Sequence, residues 1–146
     1  MQDILTLKHA DLTEKVIGLF FDVYNELGHD FLESVYEHAL EIALTEAGIR
    51  VQRQFPINVW FRRHAIGDFK ADMLVDGKVL LELKAARCID LAFEKQLLNY
   101  LRATEIEVGL LLNFGMKAEF RRLVFGNERK EICVHQRRSA ATGVSA

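Results

Sequence analysis

Cysteine is scarce, with two residues in 146. Cys88 and Cys133 lie far apart and lack CxxC spacing, so they fit the reduced thiols of a cytoplasmic protein better than a disulfide frame or a zinc site. Long apolar runs are missing too. Stretches such as Gly109 to Leu112 fall far short of the roughly 20 residues that span a bilayer. The opening MQDILTLKHADL has an early acid and no basic region followed by an apolar one, so it does not read as a signal peptide. No Gly-rich phosphate loop follows a strand, and there is neither a Ser-centred elbow nor an HExxH. His9, His29, His38, His64 and His135 show no metal-ligand spacing. These absences argue against a small-molecule enzyme. Excess positive charge is also lacking: the net charge is −2, which counts against a long grip on a phosphate backbone. Basic residues do cluster locally, in Arg62-Arg63-His64 and in Lys117 with Arg121-Arg122.

What is present is a real core. Half the residues are apolar and about a quarter are charged, the profile of one soluble globular domain. From Asp11 to Leu27 the residues Val16, Ile17, Phe20, Val23, Tyr24 and Leu27 recur at helical spacing, and Gly28 is a natural stop. A second helix is expected from about Phe31 to Ala47, ended by Gly48, so the two form a helical hairpin. Val51–Phe55 and Ile57–Phe61 then alternate as strands do, with Pro56 marking a break or an edge. Two further strands, Phe69–Val75 and Val79–Ala85, flank Asp76-Gly77, a strong hairpin signal. A third helix is expected over Leu91–Thr104 with Asp90 as N-cap. Val108–Asn113 reads as a strand buried on both faces, and Glu119–Phe125 as a last strand. The order α-α-β-β-β-α-β-β predicts an α/β (α+β) domain, a mixed sheet flanked by helices. It spans residues 5–126, and the charged, then small and polar tail over 127–146 is expected to be partly disordered.

The chemistry gathers around Asp72 and the Glu82-Leu83-Lys84 tripeptide. Strand alternation sends Glu82 and Lys84 to one face and Leu81, Leu83 and Ala85 to the other. Whether Asp72 joins them depends on the turn. A two-residue Asp76-Gly77 loop pairs Asp72 with Leu81 and turns it away. A three-residue loop with Gly77 left-handed pairs Leu74 with Lys78 and Asp72 with Leu80, and brings all three together. Two carboxylates on a strand pair suit a hard divalent cation such as Mg²⁺, which activates water and neutralises a scissile phosphate. A lysine beside them can orient that water or stabilise developing charge. The same residues also suit an ordinary pair of strand charges. Glu33 has two readings as well, because it follows Asp30 by three residues, the spacing of a capping box. On the third helix Gln96, Asn99 and Tyr100 form a polar row that fits either a reach over the carboxylates or a solvated face.

Several motifs in order resemble one family. The run GHDFLESVYE over 28–37, Asp72-Met73-Leu74-Val75, LELKA over 81–85, QLLNYL over 96–101, GLLLNFG over 109–115 and Arg121-Arg122-Leu123-Val124 are similar to those of the GxxExxY proteins, a bacterial and archaeal group of the PD-(D/E)XK superfamily. The resemblance covers about residues 5 to 125. It implies a restriction-endonuclease-like fold, an αβββαβ core preceded here by an N-terminal helix. It implies a metal site in which Glu33, Asp72 and Glu82 hold Mg²⁺ or Mn²⁺, with Lys84 as the catalytic lysine and Gln96 bordering the site; Tyr36 and Tyr100 join as binding residues, although Tyr36 taken alone reads as core. One departure is that the family's glycine falls at Asp30. The activity implied is hydrolysis of DNA or RNA phosphodiesters, in the cytoplasm and away from membranes. The alternative is a non-catalytic nucleic-acid-binding or protein-interaction module on the same fold, which the net acidity favours. Small size and an apolar-rich chain suggest a homodimer.

Overall fold

The computed structural model describes residues 4–130; the expected tail therefore lies almost entirely outside the described residues. Helix α1 (Ala10–Leu27) buries Val16, Phe20 and Val23 at helical spacing, and helix α2 (Glu33–Glu46) buries Tyr36, Leu40 and Leu44. Gly28 closes α1 at φ +72°, its N–H donating to Tyr24 O. Asp30 holds φ +83°, the left-handed conformation a glycine adopts freely, so this turn keeps its shape without the glycine.

Five strands follow: β1 (Val51–Phe61), β2 (His64–Val75), β3 (Val79–Lys84), β4 (Val108–Phe114) and β5 (Ala118–Val124). They form one sheet in the order β1-β2-β3-β4-β5. Only β3 and β4 run parallel, joined by the crossover helix α3 (Leu91–Ala103). Asp90 caps α3, accepting the Ala92 N–H at 2.9 Å. The observed architecture is thus the expected mixed α/β sheet flanked by helices, with the αβββαβ core running from α2 to β4. Among the described residues no helix is long and apolar enough to cross a membrane.

Of the two readings of Pro56, a break or an edge, the structure bears out the edge: β1 lies at the sheet edge, where a residue without an N–H is tolerated, and runs through it. One detail differs from expectation. β2 starts earlier than Phe69, at His64, because Arg62 and Arg63, both left-handed, close a tight turn with β1.

The sheet has a core on each face. Val16, Phe20, Tyr36, Leu40 and Leu44 of α1 and α2 meet Met73, Val75, Leu81, Leu83 and Phe114 on one side. Leu97, Tyr100 and Leu101 of α3 meet Ile57, Leu74, Leu80 and Leu111 on the other. All seven residues of β4 are buried, as a strand covered on both faces requires.

Candidate metal centre

The β2–β3 turn decides where Asp72 stands. Asp76 and Gly77 both take positive φ, +50° and +65°, and Lys78 N–H donates to Val75 O at 2.9 Å. Aspartate tolerates this conformation, and its side chain is further held by Arg50 N–H at 2.9 Å. The loop has three residues, and the first pair is Val75 with Val79, not Leu74 with Lys78. The register therefore sits one residue from the bulged expectation on β3 as on β2, which preserves the parity. Continued one step beyond Met73–Leu81, it sets Asp72 directly against Glu82.

At that step the backbone ladder ends and side chains replace it. Asp72 N–H donates to Glu82 Oε1 at 2.9 Å, and Leu83 N–H donates to Asp72 Oδ2 at 2.7 Å. Each carboxylate spends one oxygen on closing the sheet. The other oxygens, Asp72 Oδ1 and Glu82 Oε2, accept no hydrogen bond among the described residues. β1 is irregular at the same level. Gln54 takes φ +54° and drops out between the Arg53–Met73 and Phe55–Ala71 pairs, opposite Asp72. A left-handed glutamine costs on the order of 1 kcal/mol, and such strain concentrates at functional sites.

Electrostatics follow from this crowding. Glu82 is 4% exposed, and burial, then the neighbouring Asp72, raise its pKa to about 8 against the pull of its hydrogen bond and Lys84. Burial likewise lifts Asp72 to about 6; the Leu83 N–H opposes this, while Glu37 adds to it. Two adjoining carboxylates, Glu82 buried and Asp72 half-buried, that both resist ionisation, each with an unengaged oxygen, are a donor set suited to a hard divalent cation. Glu33 stands further off. It is exposed, and its Oε1 accepts the Ala85 N–H at 3.4 Å. Among the described residues no three His, Cys, Asp or Glu side chains gather closely enough to hold a metal ion.

The capping-box reading of Glu33 fails. Leu32 occupies the N-cap position without a side-chain bond, and Asp30 instead meets His29 Nδ1 at 2.8 Å. Glu33 is left in the first turn of α2, aimed at the end of β3. Tyr36, expected as a binding residue, is wholly buried: its ring stacks on Phe114 at 4.3 Å and its hydroxyl donates to Gly28 O and accepts the Phe31 N–H. It fixes the turn that launches Glu33 and has no surface to offer a ligand.

Lys84 Nζ makes no hydrogen bond among the described residues and rests 4.9 Å from the Phe93 ring centroid. On α3, Gln96 Nε2 donates to the Tyr100 hydroxyl at 3.0 Å. Burial, then the Glu82 and Asp72 carboxylates, raise the Tyr100 pKa. Because the amide is the donor, the phenolic proton is left for another acceptor.

Three residues given no role by sequence reasoning also shape the centre. Glu37, buried beside Asp72, accepts from Arg53 Nε at 3.2 Å and Gln54 Nε2 at 2.9 Å, so it holds the irregular stretch of β1. Asn113, wholly buried, clamps the chain leaving β3: its Oδ1 accepts Ala86 N–H and its Nδ2 donates to Ala86 O, both at 2.9 Å. Gly115 permits the clamp, since a Cβ there would lie 2.1 Å from Ala86 O. The available signals were Glu37 one turn after Glu33, and a polar Asn113 ending an apolar run.

Among solved structures, the crystal structure of SSO0001 resembles this chain with a TM-score of 0.52 at 14% identity, over 74% of this chain and 56% of that one. The chain thus spans little more than half the length of SSO0001, and the likeness is one of fold. The crystal structure of an alkaline exonuclease (LHK-Exo) from Laribacter hongkongensis gives a TM-score of 0.39 at 11% identity, over 77% of this chain and 66% of that one. No curated protein matches the chain. The profile of one family covers residues 10–123, from the first turn of α1 almost to the end of β5, and by that match the chain belongs to the PD-(D/E)XK nuclease superfamily.

Proposed function

We propose that this chain is a cytoplasmic Mg²⁺- or Mn²⁺-dependent nuclease of the GxxExxY group, hydrolysing phosphodiester bonds of DNA or RNA. The observation that carries the reading is the carboxylate pair at the end of the β2–β3 ladder, Asp72 and Glu82, each with an oxygen to spare. These two would hold the ion, and Glu33 of α2 would join them as a third ligand on leaving the Ala85 N–H. When bound, such an ion supplies an activated water and neutralises charge on the phosphate. Lys84, one position beyond Leu83 and unengaged by hydrogen bonds among the described residues, presents a compact positive charge to the developing phosphorane. Gln96 orients the Tyr100 hydroxyl so that its proton faces the carboxylates or the substrate. The Asn113 clamp on Ala86 limits how far the strand end carrying Lys84 can move.

The test incubates purified protein with labelled DNA and RNA and either metal, beside Asp72→Ala and Lys84→Ala. Cleavage in the wild type that is lost in both variants is the expected result. Cleavage that persists in both overturns the assignment.

A second reading, a non-catalytic module on the same fold, is favoured by one observation: Glu33 is engaged with Ala85 N–H and stands apart from the pair. Titration calorimetry with Mn²⁺ separates the two, since absence of binding at millimolar metal supports the module. A homodimer is supported by the exposed Phe31 and Leu32 just before α2 and Val35 and Ile42 on it. Sedimentation velocity reads it, and Ile42→Glu is expected to shift the protein to monomer.

A further inference from the structure

A cavity of about 530 Å³ opens between α3 and the β1–β2 hairpin, bordering the candidate metal centre, within the ~300–1,000 Å³ range of ligand pockets. Gln96 and Tyr100 belong to both. Tyr100 is a cavity wall and packs in one cluster with Leu74 and Leu80, which lie two residues from Asp72 and Glu82 on the same face of β2 and β3, so an occupant of the cavity borders the proposed phosphodiester site. The other aromatic walls are Trp60 and Phe69.

Local backbone features place these rings. The β1–β2 register shifts between Val59 and Trp60, and such a bulge re-aims the side chains that follow it. Val59 and Trp60, adjacent in sequence, consequently both line the cavity. The Phe69 ring occupies the space a side chain at Gly67 would need: a Cβ there would lie 2.8 Å from Phe69 Cε2. Phe69 stands 6.0 Å from Tyr100, centroid to centroid, yet remains 46% exposed. A large ring held by its neighbours and left open to solvent is unused contact surface.

The remaining lining is polar and basic. Asn58 and Asn99 supply amides that can donate and accept, while Lys95 and Arg102 bring positive charge along the exposed side of α3. Flat aromatic walls, amides able to read a base edge and cations for the adjoining phosphates are the chemistry of single-stranded nucleic acid recognition.

We infer that this cavity is a base-binding subsite, receiving an unpaired nucleobase of the DNA or RNA strand whose phosphodiester lies at Asp72 and Glu82. The inference deepens the nuclease reading and rests on it for the position of the strand. It assigns the substrate as single-stranded or locally unpaired, because a base stacked in a duplex has no free face to offer Trp60 and Phe69.

Trp60 is the chain's one tryptophan, so its emission reports on this cavity alone. The full chain is titrated in EDTA, where no cleavage occurs, with a single-stranded ten-nucleotide DNA or RNA and with the matching duplex. Saturable quenching by the single strand and little by the duplex is the expected result. Phe69→Ala, at an exposed position, is expected to weaken single-strand binding on the order of tenfold while Mn²⁺ binding by calorimetry stays unchanged. Equal quenching by duplex and single strand overturns the subsite, as does emission that changes with protein concentration alone. Metal-dependent cleavage of single strands with the same KM in Phe69→Ala overturns the subsite and leaves the nuclease reading standing. Quenching by single strands without cleavage under any metal does the reverse.

Discussion

The two ends of the β2–β3 hairpin are built on opposite terms. At the turn end, Val75, Leu74 and Met73 pair with Val79, Leu80 and Leu81 in a regular ladder, and all six side chains are buried in one core or the other. One step further, Asp72 and Glu82 interrupt the ladder and put their own oxygens in place of backbone carbonyls. The same pair of strands is thus an anchor at one end and a polar opening at the other. The apolar end supplies the stability that lets two carboxylates sit where desolvation opposes their charge.

Substitutions at the two ends should separate these jobs. Leu81→Ala, in the anchor, is expected to lower stability by about 2–5 kcal/mol, read by urea denaturation, with Mn²⁺ affinity of the folded fraction unchanged. If Mn²⁺ affinity falls in step with stability, the two ends are not independent. Lys84→Ala, at the open end, is expected to do the opposite. Cleavage falls on the order of 10²–10³-fold, the scale of losing a transition-state electrostatic contact, while the denaturation midpoint moves little. A large loss of stability in Lys84→Ala would show that this end also carries the fold.

A pH series is the next sharpest probe. Folding raises Glu82 from 4.5 to about 8 and Asp72 from 3.8 to about 6, so the folded chain keeps protons that the unfolded chain releases. Their contribution to stability is fully present below about pH 4 and is lost as the pH rises through 6 and then 8. The metal-free protein should therefore show, from this pair, a Tm that falls between pH 5 and 9. Glu82→Gln flattens that decline, and Mn²⁺ at alkaline pH restores the wild-type Tm by binding the folded state. A metal-free Tm that climbs over this range, with Glu82→Gln identical, contradicts the assigned environment. The smallest effect belongs to Glu37→Gln. Loss of its charge beside Arg53 should reduce stability by about 1 kcal/mol and weaken Mn²⁺ binding by a few-fold, read by calorimetry. An unchanged metal affinity would confine Glu37 to holding β1.

How much of this was legible in the sequence varied with the range of the forces involved. The helices and strands were readable because amphipathic spacing in α1, α2 and α3, and alternation in β1 to β3, reflect which face each element buries. The parity of Asp72 with Glu82 was conditionally readable, but not the register itself. Asp-Gly serves several turn types, and here Asp76 as well as Gly77 went left-handed. Glu33 was ambiguous because a capping box and a site residue share the same spacing; only the fold shows Leu32 at the cap and Ala85 within reach. Pro56 left a break and an edge both open, because edge position is a property of the whole sheet. Asn113 with Ala86, and Glu37 with Gln54, were invisible because each contact joins segments whose proximity the local pattern does not encode.

The double duty of Asp72 and Glu82 has an evolutionary consequence. Both residues hydrogen-bond backbone amides that would otherwise be left bare at the end of the ladder, so selection for foldability alone would retain them after chemistry was lost. Lys84 has no such bond to keep. Among relatives of this scaffold that bind without cleaving, the lysine should therefore be the first of the three to vary, leaving a lone D…E pair.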